Sequence, residues 1–117
     1  MTRIGLLSLL SIVAASPSRA AETLRFWNLT NDTVTSLRLA PAGSDRFGPN
    51  HCANDRDGEV DHDERLRLTE VSPGKYDVRV TLKHGRICTV RGVELRGDGR
   101  YAFRLEPSDL TDCQPTQ

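Results

Sequence analysis

The residues best suited to chemistry lie in one acidic stretch, Asn54–Glu64, which reads NDRDGEVDHDE. It carries six carboxylates and one arginine. Calcium loops of the EF-hand type take oxygen ligands from positions 1, 3, 5, 7, 9 and 12, with glycine at position 6. With Gly58 placed at position 6, four carboxylates fall on positions that bind the ion through side chains, while Glu59 falls on position 7, which binds through its backbone carbonyl. The four candidate metal ligands are Asp55, Asp57, Asp61 and Glu64.

The match to a calcium loop is incomplete at position 1, which is Ala53. A carboxylate normally binds the ion there, so the sequence predicts at most a weak Ca²⁺ site, of the millimolar class found in extracellular modules. Val60 at position 8 supplies the apolar anchor usual in such loops. The competing interpretations are a solvated acidic loop and a surface that docks a basic partner. The loop could also lie against the basic residues predicted to point outward from the strands: Arg65, Arg67, Arg79, Lys83, Arg91 and Arg104.

Zinc binding and acid–base catalysis are the other candidate chemistries of this region. Zinc would need His51, Cys52 and His62 with Asp61 or Asp63, but the paired spacings of structural zinc sites are absent. Asp61 and Asp63 could instead serve a hydrolase, because paired carboxylates cleave glycosides. A domain this small leaves little room for a substrate cleft. The sequence therefore favours a non-catalytic protein, with a small carboxylate-dependent hydrolase as the alternative.

Residues 1–20 have the pattern of a cleavable secretory signal peptide. Arg3 precedes a largely apolar stretch of twelve residues, Ile4–Ala15, and small residues stand at Ser18 and Ala20. Twelve residues are too few to span about 30 Å of hydrocarbon, so no membrane span is expected after cleavage. The mature chain would be 21–117, one domain with a net charge of −2. That charge does not suggest nucleic-acid binding, and the expected location is the periplasm or the exterior.

Three cysteines in an oxidising compartment predict one disulfide and one leftover thiol. We expect the bridge to join Cys88 to Cys113, because the strand at 100–106 should lie beside the strand that carries Cys88. Seven further residues can return Cys113 to it. Cys52–Cys113 and Cys52–Cys88 are the alternatives.

Short alternating segments predict that the domain 21–117 is all-β, a small antiparallel β-sandwich of the Ig-like kind. Tyr76 follows a Pro-Gly turn at the start of its strand and resembles the tyrosine corner of Ig-like sandwiches, where the hydroxyl ties back to nearby backbone. An ordinary tyrosine at the edge of the core is the alternative. Trp27 is expected on the outer face or at an edge of a sheet, and Tyr101 on the inner face. The predicted strands are 23–29, 34–40, 65–71, 75–83, 86–95 and 100–106.

The register of the hairpin between 75–83 and 86–95 is ambiguous. A two-residue turn at His84-Gly85 would point Cys88 and Val90 outward, whereas a shift of one residue would bury them. A β-bulge at Gly92 could reverse the alternation within the strand. We expect the bulge, because Val93 and Leu95 also need burial.

Four segments resemble a family of small exported bacterial proteins of unknown function. They are NLTNDTVTSLRLAPAGSDRFGPN (Asn28–Asn50), NDRDGEVDHDERLRLT (Asn54–Thr69), GKYDVRV (Gly74–Val80) and DLTDC (Asp109–Cys113). The resemblance covers nearly all of the mature chain and implies a periplasmic or secreted β-rich domain. The resemblance implies no catalytic residue. Phe47 stands where an aromatic residue, often tryptophan, is expected before the glycine.

Together these patterns predict an exported binding or accessory module of the cell envelope. Its partner would be a protein or another envelope component, with Ca²⁺ as the one cofactor candidate. We expect a monomer. A purely structural envelope protein without a ligand is a further alternative to the binding module.

Overall fold

The computed structural model describes residues 24–116, together with Gly5, and shows an almost entirely β structure. The seven strands in this range form a three-stranded sheet in the order β3–β1–β6 and a four-stranded sheet in the order β2–β4–β5–β7. The all-β class is confirmed, whereas the predicted leader lies, apart from Gly5, outside the described residues. The strands are β1 (Arg25–Asn28), β2 (Val34–Pro41), β3 (Arg65–Arg67), β4 (Gly74–Leu82), β5 (Arg86–Leu95), β6 (Phe103–Leu105) and β7 (Cys113–Pro115).

The two sheets share one hydrophobic core, because their strands turn alternate side chains inward. In β1, Phe26 is fully buried between the exposed Arg25 and the half-buried Trp27. In β4, Val78 and Val80 are fully buried on the same side. The core therefore draws on strands far apart in the chain.

The β4–β5 hairpin resolves the register ambiguity by combining a shift with a bulge. The turn has three residues, Lys83–Gly85, so that Leu82 pairs with Arg86 and Cys88 is buried. The register then slips where Arg91 and Gly92 lie opposite the single residue Asp77. Gly92 has φ of 68°, which suits a glycine bulge. The expected bulge is confirmed.

The prediction of a purely antiparallel arrangement is wrong for one strand pair. β1 pairs with β6 in parallel, and with β3 antiparallel. A parallel pair needs a long crossover, and here residues 29–102, which include β2, β4 and β5 of the other sheet, provide it. Pairing between such distant segments leaves no local signal in the sequence.

Three other sequence expectations need correction. β3 and β6 are three residues long, shorter than predicted, and β7 was not predicted. Tyr101 was expected in the core but precedes β6 and contacts Trp27, with ring centroids 5.1 Å apart. In contrast, the Tyr76 hydroxyl donates to the Ser72 carbonyl at 2.7 Å, as expected for a tyrosine after a Pro-Gly turn.

Two short 3₁₀ helices, His51–Asn54 and Pro107–Asp109, accompany the strands. The first is capped by Asn50, whose side chain accepts from the Cys52 amide, and it packs against β2 and β3. These two strands are edges of different sheets, so this helix covers the core between the sheet edges. Among residues 24–116, no helix has the length and apolar character needed to cross a membrane.

Candidate functional site

The acidic stretch 54–64 is fixed to the body of the protein at its middle. Val60 is fully buried and exchanges two backbone hydrogen bonds with Val34, both at 2.9 Å. The buried Asn28 side chain also donates to the Val60 carbonyl at 2.8 Å. The stretch is therefore a loop anchored by Val60, which is the role that the sequence predicted for this residue.

The four predicted calcium ligands each accept a hydrogen bond within the protein. The Asp57 amide donates to Asp55 and the Glu59 amide to Asp57, at 3.4 and 3.0 Å. Thr33 Oγ1 donates to Asp61 at 2.7 Å, and the Asp61 amide donates to Glu64 at 3.1 Å.

The calcium prediction stays a prediction. Gly58 adopts the left-handed conformation, with φ of 76°, which suits the sharp turn at position 6 of such a loop. Among residues 24–116, however, no three or more His, Cys, Asp or Glu side chains are grouped so as to hold a metal ion. The same finding applies to the zinc hypothesis.

The two carboxylates on which the hydrolase hypothesis depends are both exposed. Asp63 accepts from Trp27 Nε1 at 2.9 Å, while Asp61 accepts from Thr33. His62, between them, places Nδ1 at 2.8 Å from the Thr30 carbonyl. These contacts hold the loop in place, and the hydrolase hypothesis stays a prediction.

Cys88 and Cys113 form a disulfide, which is the predicted pairing, and Cys52 is a free, buried thiol. The expected neighbour was wrong, because β6 lies in the other sheet beside β1, and it is β7 that places Cys113 opposite Cys88. Burial, reinforced by the negative charge of Asp55, raises the pKa of Cys52 to about 11. The residue is therefore a protonated thiol at neutral pH, which is a poor nucleophile and a poor metal ligand.

A different surface has the more distinctive chemistry: the outer side of the three-stranded sheet. Every outward position on its strands is arginine, except for one tryptophan at its centre. Trp27 on β1 lies opposite Arg65 of β3 on one side and Arg104 of β6 on the other, and Arg25 lies opposite Arg67. We call this surface the arginine face: Arg25, Trp27, Arg65, Arg67 and Arg104.

Aromatic side chains orient two of these guanidinium groups. Arg65 lies over the Trp27 ring at 4.6 Å from the centroid, a cation–π contact. Arg104 Nη1 donates to the Tyr101 hydroxyl at 3.1 Å, and Tyr101 packs against Trp27. The indole is in turn fixed by its hydrogen bond to Asp63. The charged groups beside Trp27 are thus pre-organised, which lowers the entropy lost when they bind a partner.

The positive charge of the arginine face is not neutralised within the described residues. None of its four arginines takes part in the ion pairs found there. Beside it is a polar recess of about 390 Å³ whose lining includes Arg25, Arg56, Arg65 and Arg67, with Asp55 as its one acidic group. The arrangement can bind carboxylate or phosphate oxygens through planar guanidinium groups.

The components of this face could be predicted from the sequence, but the face itself could not. Arg65, Arg67 and Arg104 were expected to point outward, and so was Trp27. Their alignment in one row depends on β1 pairing with β3 and β6, which are distant in sequence. The available signal was the repeated alternation of arginine with buried residues in RFW, RLR and FRL.

Comparison with protein-family models, curated proteins and solved structures gives no match to this chain.

Proposed function

We propose that this protein is an exported, non-catalytic binding module of the bacterial cell envelope, and that its arginine face binds an anionic polysaccharide. The observation that carries the proposal is the set of outward strand positions, all arginine around one tryptophan. Export is supported by the pattern of residues 1–20 and by the disulfide, since disulfides persist in oxidising compartments. The two sheets would then form an Ig-like sandwich that presents this face.

The charge arrangement has an electrostatic cost that a ligand would relieve. Arg25 and Arg67 are direct neighbours across two strands, and like charges in such a position are destabilising. Neither has a carboxylate partner in the described residues. A polyanion would neutralise both at once, whereas an isolated small anion would satisfy only one or two guanidinium groups.

A polysaccharide fits the face better than a lipid surface or a nucleic acid does. The strands direct no aliphatic side chain outward, and the one outward aromatic ring, Trp27, lies under Arg65 and against Tyr101. Little apolar surface is therefore left to insert between lipid chains. Arg65 already covers the Trp27 ring, which reduces its use for base stacking. An anionic polysaccharide needs neither insertion nor stacking, only guanidinium groups spread over a surface.

The test is binding of the protein to alginate, a carboxylate-bearing polysaccharide, followed through the fluorescence of Trp27, the single tryptophan. We expect saturable binding that weakens as salt is raised, because exposed charges are screened. The double variant Arg65→Gln/Arg104→Gln should bind about tenfold more weakly, a loss of about 1.4 kcal/mol. The matched control, Arg38→Gln/Arg86→Gln, removes two exposed arginines of the other sheet and should bind within about twofold of the parent.

Three results would contradict the proposal. One is an equal loss of affinity in both double variants, which would indicate unspecific charge attraction. Another is tighter binding to single-stranded DNA or to phosphatidylglycerol vesicles than to alginate. The last is the absence of any binding at low salt, which would favour the structural envelope alternative.

A further inference from the structure

A second recess lies away from the arginine face, where the first 3₁₀ helix covers the sheet edges. Its volume is about 250 Å³, and it lies between the segments 39–51 and 69–76. This is below the range of about 300–1,000 Å³ typical of drug-sized ligands, so any ligand would be small. Most of the wall is apolar: Leu39, Pro41, Pro49, Val71 and Tyr76.

One largely buried polar side chain in this wall is open to the recess. His51 lines the recess and is only 5% exposed, and its ring nitrogens make no hydrogen bond within residues 24–116. The two other histidines of the chain, His62 and His84, both have hydrogen-bond contacts. Burial lowers the pKa of His51, so its imidazole is neutral near pH 7 and offers one donor and one acceptor. Among residues 24–116, no fully buried side-chain nitrogen or oxygen lacks a hydrogen-bond partner. The ring nitrogens of His51 therefore keep solvent contact, and they can bond to a small ligand in the recess.

Two side chains of opposite charge line the same recess but do not form an ion pair with each other. Arg46 and Glu70 both line it and both are exposed. Neither takes part in an ion pair within the described residues. Glu70 has φ of 57°, a left-handed conformation that is uncommon for a residue other than glycine. Thr69 and Val71, on either side of it, also line the recess, so this unusual residue shapes the wall.

We propose that this recess binds a small zwitterion with an apolar body, of the class of the apolar amino acids. Arg46 binds the carboxylate, Glu70 binds the ammonium group, and the apolar wall takes the side chain. His51 supplies a hydrogen bond at the buried end. A simple carboxylic acid would meet Arg46 but leave Glu70 without a counter-charge, and a simple amine would do the reverse. The zwitterion is the class that satisfies both groups.

The experiment follows the His51 ring resonances of the full chain by NMR during titration with L-leucine. Two analogues each keep one charge: 4-methylpentanoate lacks the amine, and 3-methylbutylamine lacks the carboxylate. We expect saturable shifts with L-leucine in the millimolar range usual for so small a ligand, and at least about fivefold weaker binding of each analogue. An unchanged His51 spectrum up to about 50 mM L-leucine, or equal binding of L-leucine and either analogue, would overturn the proposal.

Matched variants separate this site from the arginine face. Arg46→Gln and Glu70→Gln should each weaken L-leucine binding by at least about fivefold, with Arg86→Gln and Glu94→Gln, exposed residues of β5, as controls without effect. The variant Arg65→Gln/Arg104→Gln should bind L-leucine like the parent protein. A negative alginate result would therefore not contradict the zwitterion site, and a negative L-leucine result would not contradict the polysaccharide proposal. A loss of leucine binding in the controls equal to that in the two site variants would contradict the assignment.

Discussion

At the scale of single residues, Asp77 shows how a charged group can hold a sheet together. Its side chain is almost fully buried at the β-bulge of β5, where it accepts from the Gly92 amide and from the Gly43 amide, both at 2.9 Å. Arg91 Nη1 approaches it at 3.3 Å. The two backbone donors, more than the arginine, lower the pKa of Asp77 below 3.8. The carboxylate thus ties the loop after β2 to the irregular part of β5.

We therefore predict that Asp77→Asn destabilises the protein by about 2 kcal/mol at pH 7, because the amide NH₂ of the buried asparagine would face one of the two backbone N–H donors. Since the folded-state pKa lies below the unfolded value of 3.8, the stabilisation by Asp77 is complete above that value and disappears as the pH falls through the folded pKa. Urea unfolding of both proteins between pH 7 and pH 2 would measure this. Asp112→Asn, at an exposed position, is the control. A stability difference that persists at low pH would contradict this origin.

At the scale of strands, the sequence predicted the features that depend on local signals, namely the alternation of apolar and polar residues and the residues that form turns. β4 and β5 were found almost to the residue, because Val78, Val80 and Leu82 alternate with polar residues over a long segment. Gly92 identified the bulge for a local reason too, since only glycine adopts that conformation at low cost. Neither inference needed knowledge of distant parts of the chain.

What the sequence could not predict is set by contacts between distant segments. β7 has three residues and no alternation, and it exists as a strand through its pairing with β5 beside the disulfide. The arginine face, likewise, depends on the placement of β6 beside β1. The second recess, which His51 lines, forms where segments 39–51 and 69–76 meet, and no motif in either segment predicts it.

β7 gives a prediction at this scale. The disulfide closes a segment of 25 residues, so the double variant Cys88→Ser/Cys113→Ser should lose about 3–4 kcal/mol of unfolding free energy. Amide exchange should rise most at Thr116, which donates to the Gly85 carbonyl beyond the end of β7. The Cys52→Ala variant keeps the bridge and should exchange at Thr116 as the parent does. Unchanged exchange in the double variant would show that β7 stays paired without the bridge.

At the scale of the whole molecule, the important property is the uneven distribution of charge over the surface. The chain has a formal net charge of zero, yet the acidic loop and the arginine face concentrate opposite charges next to each other. Asp55 lines the same recess as Arg25 and Arg65. If the arginine face binds an anionic ligand as proposed, the loop would work against the approach of that ligand.

This opposition predicts that neutralising the loop strengthens ligand binding. In the double variant Asp55→Asn/Asp57→Asn, each asparagine keeps the side-chain oxygen that accepts a backbone amide, so the turns persist. We expect about a threefold higher association rate with alginate at low salt, because long-range charge acts mainly on the rate of encounter. The difference should vanish at about 0.5 M salt, where screening is nearly complete. Stopped-flow fluorescence of Trp27 measures the rate.

The control Glu94→Gln/Asp112→Asn removes the same charge from exposed positions in and next to the four-stranded sheet. If the effect depends on proximity, this control should change the association rate by much less than the loop variant. An equal acceleration in both variants would mean that only net charge matters, and that the loop has no special position relative to the arginine face. An unchanged rate in the loop variant would show that the anionic ligand approaches by a path that avoids Asp55, and would contradict the placement of the binding site beside this recess.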